Sequence, residues 1–205
     1  MWQSFTRESR QLRREALVIA CAKILATKGV GSASVREITR EAGVSPGLLT
    51  HYFSGIDALI AETYRWTGRK VQRALDDAVA RETEPRARLL AYLTESFAPP
   101  IADANLLATW LAFWGLSKSN ADIAQVHAEI YSNFRIGMER LIAATDPSGT
   151  DHRLSAIALT AFVDGLWLEL SLGNAPFSAD EACTMAERWL NALVGNGRKV
   201  DESCS

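Results

Sequence analysis

Cysteine is scarce in this 205-residue chain: Cys21, Cys183 and Cys204 form no CxxC pair and have no neighbouring histidine to complete a metal set. An odd, scattered count of this kind points to reduced thiols rather than to a disulfide framework or a zinc site. Histidine is equally sparse. His51, His127 and His152 stand far apart, and no HExxH, GxSxG, phosphate-loop or dinucleotide fingerprint occurs. The sequence therefore offers no catalytic constellation, no metal ligands and no cofactor site, and the chain is not expected to be an enzyme. No stretch reaches the roughly 18 uninterrupted apolar residues of a membrane span. Residues 1–14 carry four arginines and no apolar core of an export signal, so a cytoplasmic protein with no membrane partner is expected. Alternation with a period of two, flanked by hairpin turn dipeptides, is missing as well, which leaves an all-α fold.

Apolar residues make up 48% of the chain, enough for an ordinary core. Net charge is −2, too small and of the wrong sign for a protein that coats nucleic acid, but its distribution is uneven. Residues 1–53 carry a balance of +4 and the remainder −6. A basic first quarter on an acidic body suggests that only the N-terminal piece faces phosphate.

Helical periodicity then divides the chain. A first helix is expected over residues 6–28, with Leu17, Ala20, Cys21, Ile24 and Leu25 on one stripe and Gly29 closing it. SVRE at 34–37 is a capping box that opens a short second helix, burying Val35, Ile38 and Ala42 and stopping at Gly43. Ser45 is placed to cap a third helix with Pro46 at its first position; Leu49 and Phe53 are its buried side. A long fourth helix from 54 or 55 to 81 links the two halves, and five more follow over about 84–98, 103–117, 121–144, 151–172 and 178–194.

The second and third helices meet through AGVS at 42–45, a turn with glycine where a positive φ is required. That is a helix-turn-helix, although a plain structural pair looks the same. Its second helix presents Pro46, Gly47, Leu48, Thr50 and His51 outward, a face that fits a major groove.

ILATKG at 24–29, SVREI at 34–38 and EAGVSPGLLTHYF at 41–53 closely resemble the DNA-binding domain of TetR-family repressors. The resemblance implies a nine-helix repressor: an N-terminal three-helix DNA-binding domain at 1–53, then a helical effector-binding and dimerisation domain at 54–205. It implies that Arg36 reads a base, with Gly47, Leu48, Thr50 and His51 at base edges or sugar-phosphate. Tyr52 and the helix starts at Ser34 and Ser45, with Pro46 following the latter, would hold phosphates. Two positions depart from the family pattern: Thr50 stands where an aromatic is usual and Ile56 where a lysine is usual. The basic arm of Arg7, Arg10, Arg13 and Arg14 could make up the lost phosphate contact, or be a solvated tail.

Five of the six tryptophans lie beyond residue 53. Most such aromatics are expected in the core, but Trp110, Phe113 and Trp114 share one helix face, and Asp164 stands beside Trp167 in an otherwise apolar helix, where its carboxylate needs a partner: a structural arginine or backbone donor, or a cationic ligand. WLAFW at 110–114 and DGLWL at 164–168 resemble the C-terminal domain of BetI-type regulators, a TetR subgroup that answers to choline. The resemblance implies a small-molecule effector, of quaternary ammonium type, held by Tyr92, Trp110, Phe113, Trp114, Asp164 and Trp167. Tryptophan faces attract such cations, and a carboxylate compensates their charge. It also implies a homodimer through helices 8 and 9, whose stripes include Leu159, Phe162, Val163, Leu166 and Leu170, then Ala182, Met185, Ala186, Trp189 and Leu193. Double-stranded operator DNA is then the second partner, read as a palindrome. The rival reading is an all-helical ligand-binding enzyme or adaptor that does not bind DNA.

Overall fold

A computed structural model describes residues 2–149, 151–173 and 175–193, with side chains for those between 10 and 192. The side chains of Arg7 and Leu193, and all of Cys204, lie outside the described residues. Among the described residues there is no strand. The helices are α1 Trp2–Lys28, α2 Val35–Glu41, α3 Pro46–Tyr52, α4 Ile56–Ala80, α5 Pro85–Glu95, α6 Ala104–Ser117, α7 Ala121–Thr145, α8 His152–Ser171 and α9 Ala179–Leu193, with a 3-10 turn at Val30–Ser32.

The helix starts and stops follow local chemistry. Gly29 and Gly43 take φ of +73° and +65°, where a Cβ is strained, and each follows a helix end. Asp103 caps α6, its carboxylate accepting from the N–H groups of Asn105 and Leu106. Asp151 caps α8 in the same way through Leu154. At α9 the box is complete: Glu181 N–H donates to Ser178 Oγ, and Ser178 N–H donates to Glu181 Oε2. At α2 it is half complete. Glu37 N–H donates to Ser34 Oγ, while the Glu37 carboxylate turns instead to Lys28 and Arg40. One boundary is corrected. α1 begins at Trp2 rather than at residue 6, because nothing between 2 and 6 is a helix breaker.

The backbone forms two compact units, the first Met1–Val71 with Asp103–Tyr131, the second Gln72–Ala102 with Ser132–Ser205. α4 and α7 each contribute to both. In the first unit Leu17, Cys21, Ile24, Ile38, Leu49 and Leu59 are fully buried and clamp α1, α2, α3 and the start of α4 around one core. At about 1.5–3 kcal/mol for each large side chain removed from water, these residues hold the short α2 and α3, which could not persist alone. Gly68 lets α4 approach α7: a Cβ there would fall 2.8 Å from Ile130 Cδ1.

In the second unit Leu89, Leu93, Phe97, Met138, Leu159 and Leu190 form the centre. α8 is the one helix among the described residues that is long and apolar enough to cross a membrane (mean hydropathy 1.4), and 28% of its 18-residue apolar window is buried in the protomer. Counting uninterrupted apolar runs overlooks this helix, because its polar residues are interleaved. Its exposed apolar side chains are Leu154, Ile157 and Leu168, with Leu172 just past its end.

Candidate nucleic-acid interface and aromatic cluster

α2 and α3 are fixed by what lies beneath them. Ile38 and Leu49 are fully buried and Phe53 nearly so, which turns the opposite side of α3 outward. Pro46, Gly47, Thr50 and His51 are exposed, as are Ser34, Arg36 and Ser45, while Tyr52 is half-buried with its ring edge-on to His51 at 5.0 Å. Two expectations fail in detail. Leu48 is half-buried rather than exposed, because in a helix of two turns it sits beside the inward Leu49. Ser45 occupies the cap position with extended backbone but makes no side-chain cap bond. The Leu48 N–H that it would accept from donates to the Ser45 carbonyl instead, at 3.0 Å, which leaves the Ser45 hydroxyl facing solvent.

The charges around this surface are sorted. Lys23 pairs with Glu41 at 2.5 Å, Lys28 with Glu37 at 2.9 Å, and Arg40 with Glu37 at 2.5 Å. The Lys28 ammonium bonded to Glu37, helped by the charges of Arg40 and Arg36, holds the Glu37 carboxyl below the ordinary carboxylate range. Arg36 is exposed and, among the described residues, outside any ion pair. Of the N-terminal arginines, Arg10 and Arg13 are exposed. Arg14 is not part of an outward arm: it reaches Glu62 at 3.4 Å and lies over the Phe53 ring at 5.1 Å, tying α1 to α3 and α4.

The first unit also gathers an aromatic cluster from α4, α6 and α7. Both indoles of α6 donate to one phenol oxygen, Trp114 Nε1 to Tyr131 Oη at 2.8 Å and Trp110 Nε1 to the same atom at 3.3 Å. Tyr64 stacks on Phe113 with ring centroids 4.1 Å apart, stands edge-on to Trp110 at 5.5 Å, and shares a 2.8 Å hydrogen bond with His127 Nδ1. His127 in turn lies 4.3 Å from Tyr131. The expected Trp110, Phe113 and Trp114 therefore do come together, with partners the sequence reading did not assign to a site. His127 and Tyr131, four residues apart on one face of α7, were the available signal.

The other expected effector residues belong to the second unit. Tyr92 is buried with its hydroxyl donating to the Phe134 carbonyl, and burial raises its phenol well above the ordinary value. Trp167 is buried and its Nε1 donates to the Ser96 carbonyl at 2.8 Å. Asp164, one turn before it, is half-buried. Of the stripe expected to face a second copy, Leu159, Val163, Ala182 and Ala186 pack inside the protomer. The open apolar side chains are Leu154, Ile157 and Leu168 of α8, Leu172 just past its end, and Trp189 of α9, which belonged to the expected stripe and is 50% exposed and 5.8 Å from Phe162.

Comparison with known proteins follows this geometry. The profile of bacterial regulatory proteins of the tetR family matches residues 17–63, and that of the BetI-type transcriptional repressor C-terminal domain matches residues 85–195. The HTH-type transcriptional regulator BetI of Pseudomonas paraeruginosa is 31% identical over 88% of this chain and 92% of its own. A crystal structure from Pseudomonas aeruginosa PAO1, described as that of a transcriptional regulator, superposes with a TM-score of 0.81 at 38% identity, over 90% of this chain and 91% of that one. One from Saccharomonospora viridis, a regulator solved in complex with choline, superposes at 0.74 with 22% identity, over 87% and 95%. At that identity the last likeness is one of fold.

Proposed function

The chain belongs to the TetR family of bacterial regulatory proteins, with a BetI-type C-terminal domain and thus a ligand-responsive transcriptional regulator's architecture, and from that premise we propose that it is a cytoplasmic repressor released from a palindromic operator by a small cation. The observation that carries the reading is the outward face of α3, held by the fully buried Ile38 of α2 and Leu49 of α3, together with an exposed Arg36. Arg36 reads guanine through its two-pronged guanidinium. Gly47 brings backbone close to the groove, Thr50 and His51 reach bases or sugar-phosphate, and the half-buried Leu48 offers its outer edge to a thymine methyl. Ser34, Ser45 with Pro46, and Tyr52 hold the phosphates on either side.

Two copies are joined through the exposed face of α8 and Trp189 of α9, an apolar surface whose burial is the ordinary origin of an isologous dimer. Two heads then face successive turns of one side of the duplex, about 34–36 Å apart.

The effector is proposed to be a quaternary ammonium compound. Support comes from the α6 aromatic cluster, where Tyr131 fixes both indole planes, and from the choline held by the Saccharomonospora viridis regulator. Cation–π attraction suits a charge that has no proton to donate. In the second unit Tyr92, Asp164 and Trp167 remain candidate effector residues. Effector shifts the population toward a state whose heads no longer match consecutive grooves, by no more than its difference in affinity for the two states.

The test is a fluorescence-anisotropy titration of a duplex carrying the selected operator. Affinity is expected to fall steeply as KCl rises and to fall again on adding choline or tetramethylammonium. The second effect should be lost in Trp114→Ala. A cation that tightens binding would make the protein a co-repressor system instead.

A further inference from the structure

We propose that the groove between α1, α4 and the start of α6 is a second small-molecule site, taking an amphipathic monocarboxylate: an aromatic or short aliphatic acid. The groove, open to solvent along one side, has a volume of about 300 Å³, at the small end of the range for ligand pockets. It lies wholly in the first unit. On α6 it is lined by Asn105, Leu106 and Thr109 of the first two turns, whereas Phe113 and Trp114 of the aromatic cluster lie further along the helix and do not line it.

Its chemistry is lopsided. The trough is apolar, formed by Ala22, Ala26 and Leu106, and Ile19 at its lip is an exposed aliphatic. The three threonines in the wall have already used their hydroxyl protons, Thr27 on the Lys23 carbonyl, Thr67 on the Thr63 carbonyl and Thr109 on the Asn105 carbonyl at 2.7 Å, with the Ala22 carbonyl also near at 3.3 Å. Asp103, at the end of the groove, keeps its charge but turns its Oδ1 to the first N–H groups of α6, where the helix dipole offsets it. Lys23 is paired with Glu41. The cation left without an ion pair among the described residues is Lys70, exposed and held over the Trp66 ring at 5.2 Å. A cation poised on an aromatic wall above an apolar trough complements a ligand with one carboxylate and a flat or slender hydrocarbon body. Such a ligand would touch α1, which carries the α2–α3 pair, and α6, which carries the aromatic cluster. The site does not depend on the cation-effector reading.

Isothermal titration of the full chain with benzoate, phenylacetate and octanoate, and with benzamide, phenylacetamide and choline as comparators, tests this. At least one acid should bind with a dissociation constant below about 1 mM, and its amide about tenfold more weakly. Lys70→Met, a change on the exposed rim that keeps the stem, should weaken the acid by a similar factor. Ala26→Phe should fill the trough and abolish binding, whereas Trp114→Ala should leave it unchanged. Absence of binding by all three acids, an amide that binds equally well, an affinity indifferent to Lys70→Met, or choline lost on Lys70→Met while the acids are unaffected would each overturn the proposal. Lys70→Met keeps the test decisive should Ala26→Phe fail to fold.

Discussion

Gly43 shows how much a single backbone angle carries. Its φ of +65° turns the chain between α2 and α3, and a Cβ built there meets nothing within 4 Å, so substitution costs conformational strain and no clash. Gly43→Ala should lower the stability of the folded chain by about 1–2 kcal/mol in urea unfolding and weaken DNA binding in step. Cys21 makes a second residue-scale test. Burial pushes its thiol up to about 11, with a weaker opposing bond to Thr63. A thiol that holds its proton more tightly when folded stabilises less as pH climbs from its ordinary value near 9.0 toward 11. Native protein should therefore leave Cys21 unmodified by an aromatic disulfide reagent at pH 8, and urea should expose it. Rapid labelling of Cys21 in the native state would contradict the packing described. The residues at this scale that were legible in the sequence are those with a rule of their own, Gly43, Ser34 and Pro46. Ser45 was not, because whether a hydroxyl caps depends on which partner the Leu48 N–H finds.

At the scale of elements, the helices among the described residues were legible in number and order, since most are bracketed by a cap, a glycine or a proline, but α1 starts four residues earlier than expected and α5 stops at Glu95, about three residues short. Which face of a helix does what was less so. Periodicity gives α8 a broad apolar surface but does not say which arc meets its own protomer, and Leu159 and Val163 turned inward while Leu154 and Leu168 stayed out. The aromatic cluster has the same history. The α6 members could be read from their spacing, but Tyr64, His127 and Tyr131 join them only through the packing of three helices. The outward arc of α8 and α9 leads to a direct prediction. Trp189→Glu places a charge in the middle of the proposed self-contact and should convert the dimer to a monomer by light scattering with little change in the helical circular dichroism. A Trp189→Glu protein that remains dimeric would remove α9 from the interface. Its far-ultraviolet spectrum is the control, because Trp189 is half exposed and supports little of the protomer's own core.

For the whole molecule, the uneven charge seen in the sequence acquires a structural sense. Lys23 is paired with Glu41, and Lys28 and Arg40 share Glu37, while Arg36 is exposed and, among the described residues, outside any ion pair. Acid should erode this arrangement. Glu37 ionises below the ordinary carboxylate range because its charged form is bonded to Lys28, so its contribution is present at neutral pH and lost as pH falls through that lowered value. Glu37→Gln protein should show a flatter decline of melting temperature with acidity than the parent. The claim on which the account turns is that the α3 surface enters DNA twice per symmetric particle. Selection of binding duplexes from a randomised pool by the purified protein, followed by sequencing, tests it most directly. The account predicts an enriched inverted repeat whose half-site centres are separated by about 10–10.5 base pairs or a multiple of that, with no enrichment by Arg36→Ala protein. Recovery of no motif, or of one that Arg36→Ala protein selects equally well, would contradict it.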